Sequence, residues 1–123
     1  MTPAGGLART PQGVMNRAAP RSDQGGLFNP MAKNLYMVVE NFRYGDPLPV
    51  YRRFRDRGRL APDGLRYINS WVAADFTRCY QLMECEDQRL FERWIAQWED
   101  LVQFEVVPVV TSPEAVEAIT PKL

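Results

Sequence analysis

Leu35-Tyr-Met-Val-Val-Glu-Asn-Phe42 alternates in side-chain direction and is rich in strand formers, so the ordered part of the chain begins there as a first strand. Gly45 turns the chain, Asp46 is placed to cap a helix, and Pro47 suits a first helical position, where its missing N–H costs nothing. On that helix Pro47, Val50, Tyr51 and Phe54 share one face, and Arg52, Asp56 and Arg59 point the opposite way. Gly58 and Pro62 end it. Two strands follow, over about 65–72 and 77–85, joined through Ala73-Ala-Asp-Phe76. Asp87 then caps a second helix, whose apolar stripe is Leu90, Phe91, Trp94, Ile95, Trp98 and Leu101. The tryptophan pair on this stripe reads as core rather than as an aromatic ligand box. A last strand over about 102–110 leads into a short helix opened by Thr111-Ser-Pro-Glu114.

The order βαββαβ with short connections predicts an α+β domain of ferredoxin-like fold, an antiparallel sheet with its helices on one face. Residues 31–123 form this domain. Residues 1–30 carry five glycines, four prolines, a single acid (Asp23) and no apolar period. They read as a disordered tail, or as the product of a start codon upstream of the true beginning at Met31.

A sheet with helices on one face leaves the other face in need of cover, and strand parity sorts the side chains. A turn through 73–76 pairs Val72 with Thr77, Trp71 with Arg78, Asn69 with Tyr80 and Tyr67 with Leu82. Ile68, Ser70, Val72, Cys79, Gln81, Met83 and Cys85 then lie beneath the helices. Tyr67, Asn69, Trp71, Arg78, Tyr80 and Glu84 lie on the uncovered face. The outer strands are expected to divide with Leu35, Met37, Val39, Phe104 and Val106 inward and Tyr36, Glu40, Phe42, Gln103 and Glu105 outward.

This mixed aromatic and ionic face has three readings. In the first it is a homodimer interface with Tyr36, Phe42, Tyr67 and Trp71 as anchors. In the second, Asn69, Trp71, Arg78 and Tyr80 bind a small aromatic or anionic molecule by stacking, charge and an orienting amide. The third, a single-stranded RNA platform, is disfavoured, because Glu40, Glu84 and Glu105 would repel phosphate and the third strand lacks the glycine–aromatic pattern. No nucleic-acid partner is expected.

Composition removes further chemistry. The 123 residues give one core. Histidine is absent, which excludes imidazole bases, Ser-His-Asp or Cys-His arrangements and histidine-ligated metals. Cys79 and Cys85 stand six steps apart on one strand, about 20 Å, beyond disulfide or shared-metal reach, and read as buried thiols. No metal site and no cofactor is expected, and no catalytic residue can be named. The apolar runs are too short to span a bilayer and no secretory signal precedes them, so a cytoplasmic protein without membrane contact is expected.

Net charge is zero, yet eight arginines face four aspartates between 43 and 78, and nine acids face three bases from 84 onward. Such asymmetry suits self-association or an anionic ligand. The arginine run 52–59 reads as a solvated face, with an anion or acidic-partner site as the alternative.

Several stretches together resemble an uncharacterised bacterial family, the domain-of-unknown-function family 3303. They are Leu35-Tyr-Met-Val-Val-Glu-Asn-Phe, Val50-Tyr-Arg-Arg-Phe-Arg-Asp-Arg-Gly-Arg-Leu-Ala-Pro, Tyr67-Ile-Asn-Ser-Trp-Val, Arg78-Cys-Tyr-Gln-Leu-Met-Glu and Phe104-Glu-Val-Val-Pro-Val. The resemblance spans residues 34 to about 118 and implies no activity. More distantly the layout is similar to dimeric α/β-barrel proteins, which include ligand-binding modules, small isomerases and cofactor-free monooxygenases. The resulting expectation is a dimeric small-molecule-binding module. The alternatives are a structural or protein-interaction module without ligand, and a cofactor-free monooxygenase or isomerase acting on a small aromatic substrate.

Overall fold

The elements fall in the expected order in the computed structural model, which describes residues 33–123. The reading of 1–30 as a tail lies outside the described residues. Strand β1 (Asn34–Phe42) is followed by helix α1 (Leu48–Arg57), strands β2 (Arg66–Val72) and β3 (Arg78–Cys85), helix α2 (Leu90–Ala96), strand β4 (Val102–Val109) and helix α3 (Ser112–Ile119). The four strands form an antiparallel sheet in the order β2-β3-β1-β4, a ferredoxin-like arrangement.

Local chemistry sets the helix ends. The Asp46 carboxylate accepts a hydrogen bond from the Leu48 N–H at 3.0 Å, satisfying one of the orphan donors at the start of α1. Gly58 closes α1 at φ 75°, a left-handed conformation that costs glycine little. Helix α2 is only seven residues long. Its apolar stripe continues through a turn that seats Trp98 and delivers Val102, whose N–H donates to the Trp98 carbonyl at 3.0 Å. Thr111 and Glu114 form a reciprocal capping box on α3.

The core lies between the sheet and helices α1 and α2. Tyr36 meets Phe91 edge-on with ring centroids 5.0 Å apart, Phe42 meets Tyr51 at 6.3 Å, and Trp94 meets Phe104 at 5.6 Å. Such edge-to-face pairs add to the burial of each ring.

These contacts correct the expected division of β1. Tyr36, Val38, Glu40 and Phe42 face the helices, and Leu35, Met37 and Val39 face away. Both faces of this strand carry enough apolar surface to be buried, so alternation alone does not say which of them meets the helices. Tyr36 and Phe42 are therefore core residues, and their side chains are not available to an interface on the uncovered face. The hairpin correction is gentler: Val72 pairs with Cys79 and Trp71 with Tyr80, a slip of two residues that preserves parity. An irregularity between Tyr67 and Asn69 then reverses it. Tyr67 stands opposite Met83 on the helix side, away from the uncovered face expected for it, and Arg66 faces outward to pair with Glu84 at 2.7 Å.

Candidate functional site

Glu40 and Gln81 are the polar side chains that the described core buries, 8% and 5% exposed. They reach the interior because β1 and β3 are neighbours with matched parity: Glu40 follows Tyr36 and Val38 on the inner face, and Gln81 sits between Cys79 and Met83. The Gln81 Nε2 donates a hydrogen bond to the Glu40 carboxylate. No described residue donates to Gln81 Oε1, which is fully buried. A buried amide oxygen without a partner costs about 1–3 kcal/mol, so this arrangement is unfavourable for folding alone.

Both side chains line a cavity of about 230 Å3 between the sheet and the helices. Its apolar walls come from Phe42, Val50, Phe54, Trp94, Trp98 and Phe104. Its remaining polar groups are Ser70 and Cys79 on the sheet, Tyr51 on α1 and Arg59 on the connection to β2.

Arg59 owes its place to a firm anchor. The indole N–H groups of Trp94 and Trp98 both donate to the Arg59 carbonyl, each at 2.9 Å. Its guanidinium stacks on the Tyr67 ring, 3.7 Å from the centroid, and lies 5.2 Å from that of Phe54. The expectation had Arg59 on the solvent face of α1 beside Asp56. The helix ends at Arg57, and the left-handed conformations of Gly58 and Leu60 swing Arg59 to the cavity instead. Elsewhere in the arginine run, Arg53 forms a bidentate pair with Asp100, and Arg55 pairs with Asp56.

Burial raises the Glu40 carboxyl to about 7, against the lesser opposing effects of the Gln81 hydrogen bond and the Arg59 charge. The Cys79 thiol is pushed up to about 12, by burial first and by Glu40 second. The Tyr51 phenol is also raised, by burial and then by Cys79 and Glu40. Near neutral pH the cavity therefore holds a carboxyl poised between its two states, a neutral thiol, a neutral phenol and a guanidinium.

The four residues expected to bind a ligand do come together, on the opposite face of the sheet. Trp71 stands beside Tyr80, with Asn69 and Arg78 two positions along their strands. Trp71 is 52% exposed, and the Asn69 side-chain oxygen Oδ1 accepts a hydrogen bond from the Ser70 N–H at 2.8 Å. None of the four lines the cavity. A wider, open hollow of about 620 Å3 beside Gly64 is lined by Asp63, Glu84, Glu86 and Asp87, of which Glu84 is paired with Arg66 and Asp87 with Arg89. No group of three or more possible metal ligands occurs among the described residues, and no helix there is long and apolar enough to cross a membrane.

The fold and the enclosed polar pair thus define a ferredoxin-like α+β domain with a small cavity beneath its helices. A family model described as a domain of unknown function, DUF3303, matches residues 34–123, and the chain belongs to that family. No curated protein and no solved structure matches it.

Proposed function

We propose that this domain binds a small molecule in the cavity beneath its helices. One observation carries the reading: Glu40 and Gln81 are buried side by side in an apolar cavity, with Gln81 Oε1 left without a donor. A ligand that donates a hydrogen bond to that oxygen removes the cost of burying it. The volume of about 230 Å3 falls below the roughly 300–1,000 Å3 typical of sites for drug-sized molecules, so the ligand is a single or fused small ring or a short chain. Trp94, Trp98 and Phe104 suit an aromatic body, and Arg59 suits an anionic or carbonyl oxygen at its edge.

The dimer belongs to the same proposal. The uncovered face carries Leu35, Met37 and Val39 of β1 between Leu82 and Tyr80 of β3 and Val107 and Val109 of β4. A second copy packed sheet to sheet covers this strip, with Trp71 as an anchor. Asn69, Arg78 and Tyr80 then belong to the interface rather than to the pocket.

A thermal-shift screen of ring fragments tests the binding reading. Fragments that bind raise the melting temperature of the wild type and have no effect on Gln81→Leu or on Glu40→Leu. Equal shifts in the wild type and both variants would place binding elsewhere.

A further inference from the structure

Among the described residues Glu40 is the one buried carboxyl, and its surroundings are arranged for more than structure. An acid kept solely for stability would be paired with a cation, yet the hydrogen-bond partner of Glu40 is the neutral amide of Gln81. Arg59, the cation of the cavity, is held by its own carbonyl and stacked on Tyr67, and its influence on Glu40 acts through space. A carboxylate and a guanidinium therefore share one small apolar cavity without neutralising each other in a hydrogen-bonded pair.

We propose that Glu40 is a catalytic base that moves a proton on carbon, with Arg59 stabilising the oxygen on which charge develops. This rests on the cavity being a ligand site. The substrate class is a small, largely apolar carbonyl compound with an acidic C–H beside the carbonyl and one O–H or N–H that donates to Gln81 Oε1. The Glu40 carboxylate takes that proton. The C–H electron pair becomes the C=C of an enolate, and the carbonyl π pair moves onto the oxygen facing Arg59. The same carboxyl then returns the proton, to the original carbon or to a conjugated one, which isomerises the substrate. Glu40 ends as it began, and no oxidant or reductant enters.

The other titratable groups facing Glu40 do not compete for this role. Cys79 on the adjacent strand and Tyr51 on α1 both hold their protons well above neutrality, and Arg59 is a cation. On α2, the turn after it and β4 the cavity is lined by Trp94, Trp98 and Phe104, which carry no titratable group.

The test uses the full chain with 5-hydroxy-2-indanone, an aromatic ketone whose CH2 groups flank its carbonyl and whose hydroxyl can donate to Gln81 Oε1. Proton NMR in deuterium oxide follows loss of the CH2 signal, and saturation transfer in the same sample reports binding. The proposal expects protein-dependent exchange that climbs about tenfold per pH unit to about 7 and then levels. Glu40→Gln, a neutral isostere, slows it by about a hundredfold or more while saturation transfer persists. Glu40→Asp restores part of the rate, and Arg59→Met lowers the rate with binding retained. Binding without exchange, exchange insensitive to Glu40→Gln, or exchange that ignores pH would overturn the proton-transfer role and leave the binding site standing. Absence of both saturation transfer and exchange overturns both.

Discussion

Gln81 reaches diagonally across the β1–β3 ladder to donate its side-chain amide to Glu40, although its register partner on β1 is Val38. The reach spends one half of the amide on the acid and leaves the other half, Oε1, buried without a donor. A core built for stability alone would place leucine or methionine at both positions. The pair is the feature from which the binding and proton-transfer readings grow.

The first prediction concerns pH. In the folded state the Glu40 carboxyl titrates at about 7, against 4.5 ordinarily. Between those values the native state keeps a proton that the unfolded chain has released, so stability falls as pH rises from 4.5 toward 7. The shift corresponds to roughly 3 kcal/mol. Glu40→Gln removes this dependence, so urea melts should show the variant gaining on the wild type between pH 5 and pH 8. A difference that stays constant across that range contradicts the buried, raised carboxyl.

Arg59 supplies a second prediction, because two indoles share its carbonyl. Trp94→Phe or Trp98→Phe alone leaves one donor in place. The double variant leaves a part-buried carbonyl unsatisfied and should cost about 1 kcal/mol more than the sum of the singles. Additive losses would show that the shared hydrogen bond carries no coupling.

The thiols give a third. Cys79 and Cys85 are buried and raised to about 12, chiefly by burial. Both should resist a thiol-disulfide reagent at pH 8 in the native protein and react at once in denaturant. Fast native labelling of Cys79 would mean that the cavity opens freely to solvent.

How much of this was legible in the sequence varies by element. Helix starts were clear where a single side chain decides them, as with Asp46 before Pro47 and the Thr111–Glu114 box. The parity of Cys79, Gln81 and Met83 was legible because strand alternation sets them, with Cys85, opposite the charged Arg78 and Glu84 and the aromatic Tyr80. β1 misled because Leu35, Met37 and Val39 look as buriable as Tyr36, Val38 and Phe42. The signal for Glu40 was present: one acid stands in register with three apolar side chains, Tyr36, Val38 and Phe42. Its burial, however, depends on Gln81, forty-one residues away. The irregularity that turns Tyr67 inward and the left-handed Leu60 that redirects Arg59 are tertiary outcomes without a glycine or proline at the residue itself to announce them.

The open face yields a fourth prediction. If two copies pack sheet to sheet, sedimentation at micromolar concentration shows a dimer, and Trp71→Glu dissociates it with the monomer still folded. Tyr36→Glu is expected to unfold the protein instead, because Tyr36 is core. A wild-type monomer would refute the interface.

Three tryptophans make the most direct measurement possible, since Trp94 and Trp98 line the cavity and Trp71 lies on the opposite face. In a 1H–15N NMR titration with ring fragments, the indole N–H signals of Trp94 and Trp98 and the side-chain amide of Gln81 should shift together, with Trp71 still. Movement of the Trp71 indole and the Asn69 amide, with Trp94, Trp98 and Gln81 unmoved, would contradict the cavity as the site of binding.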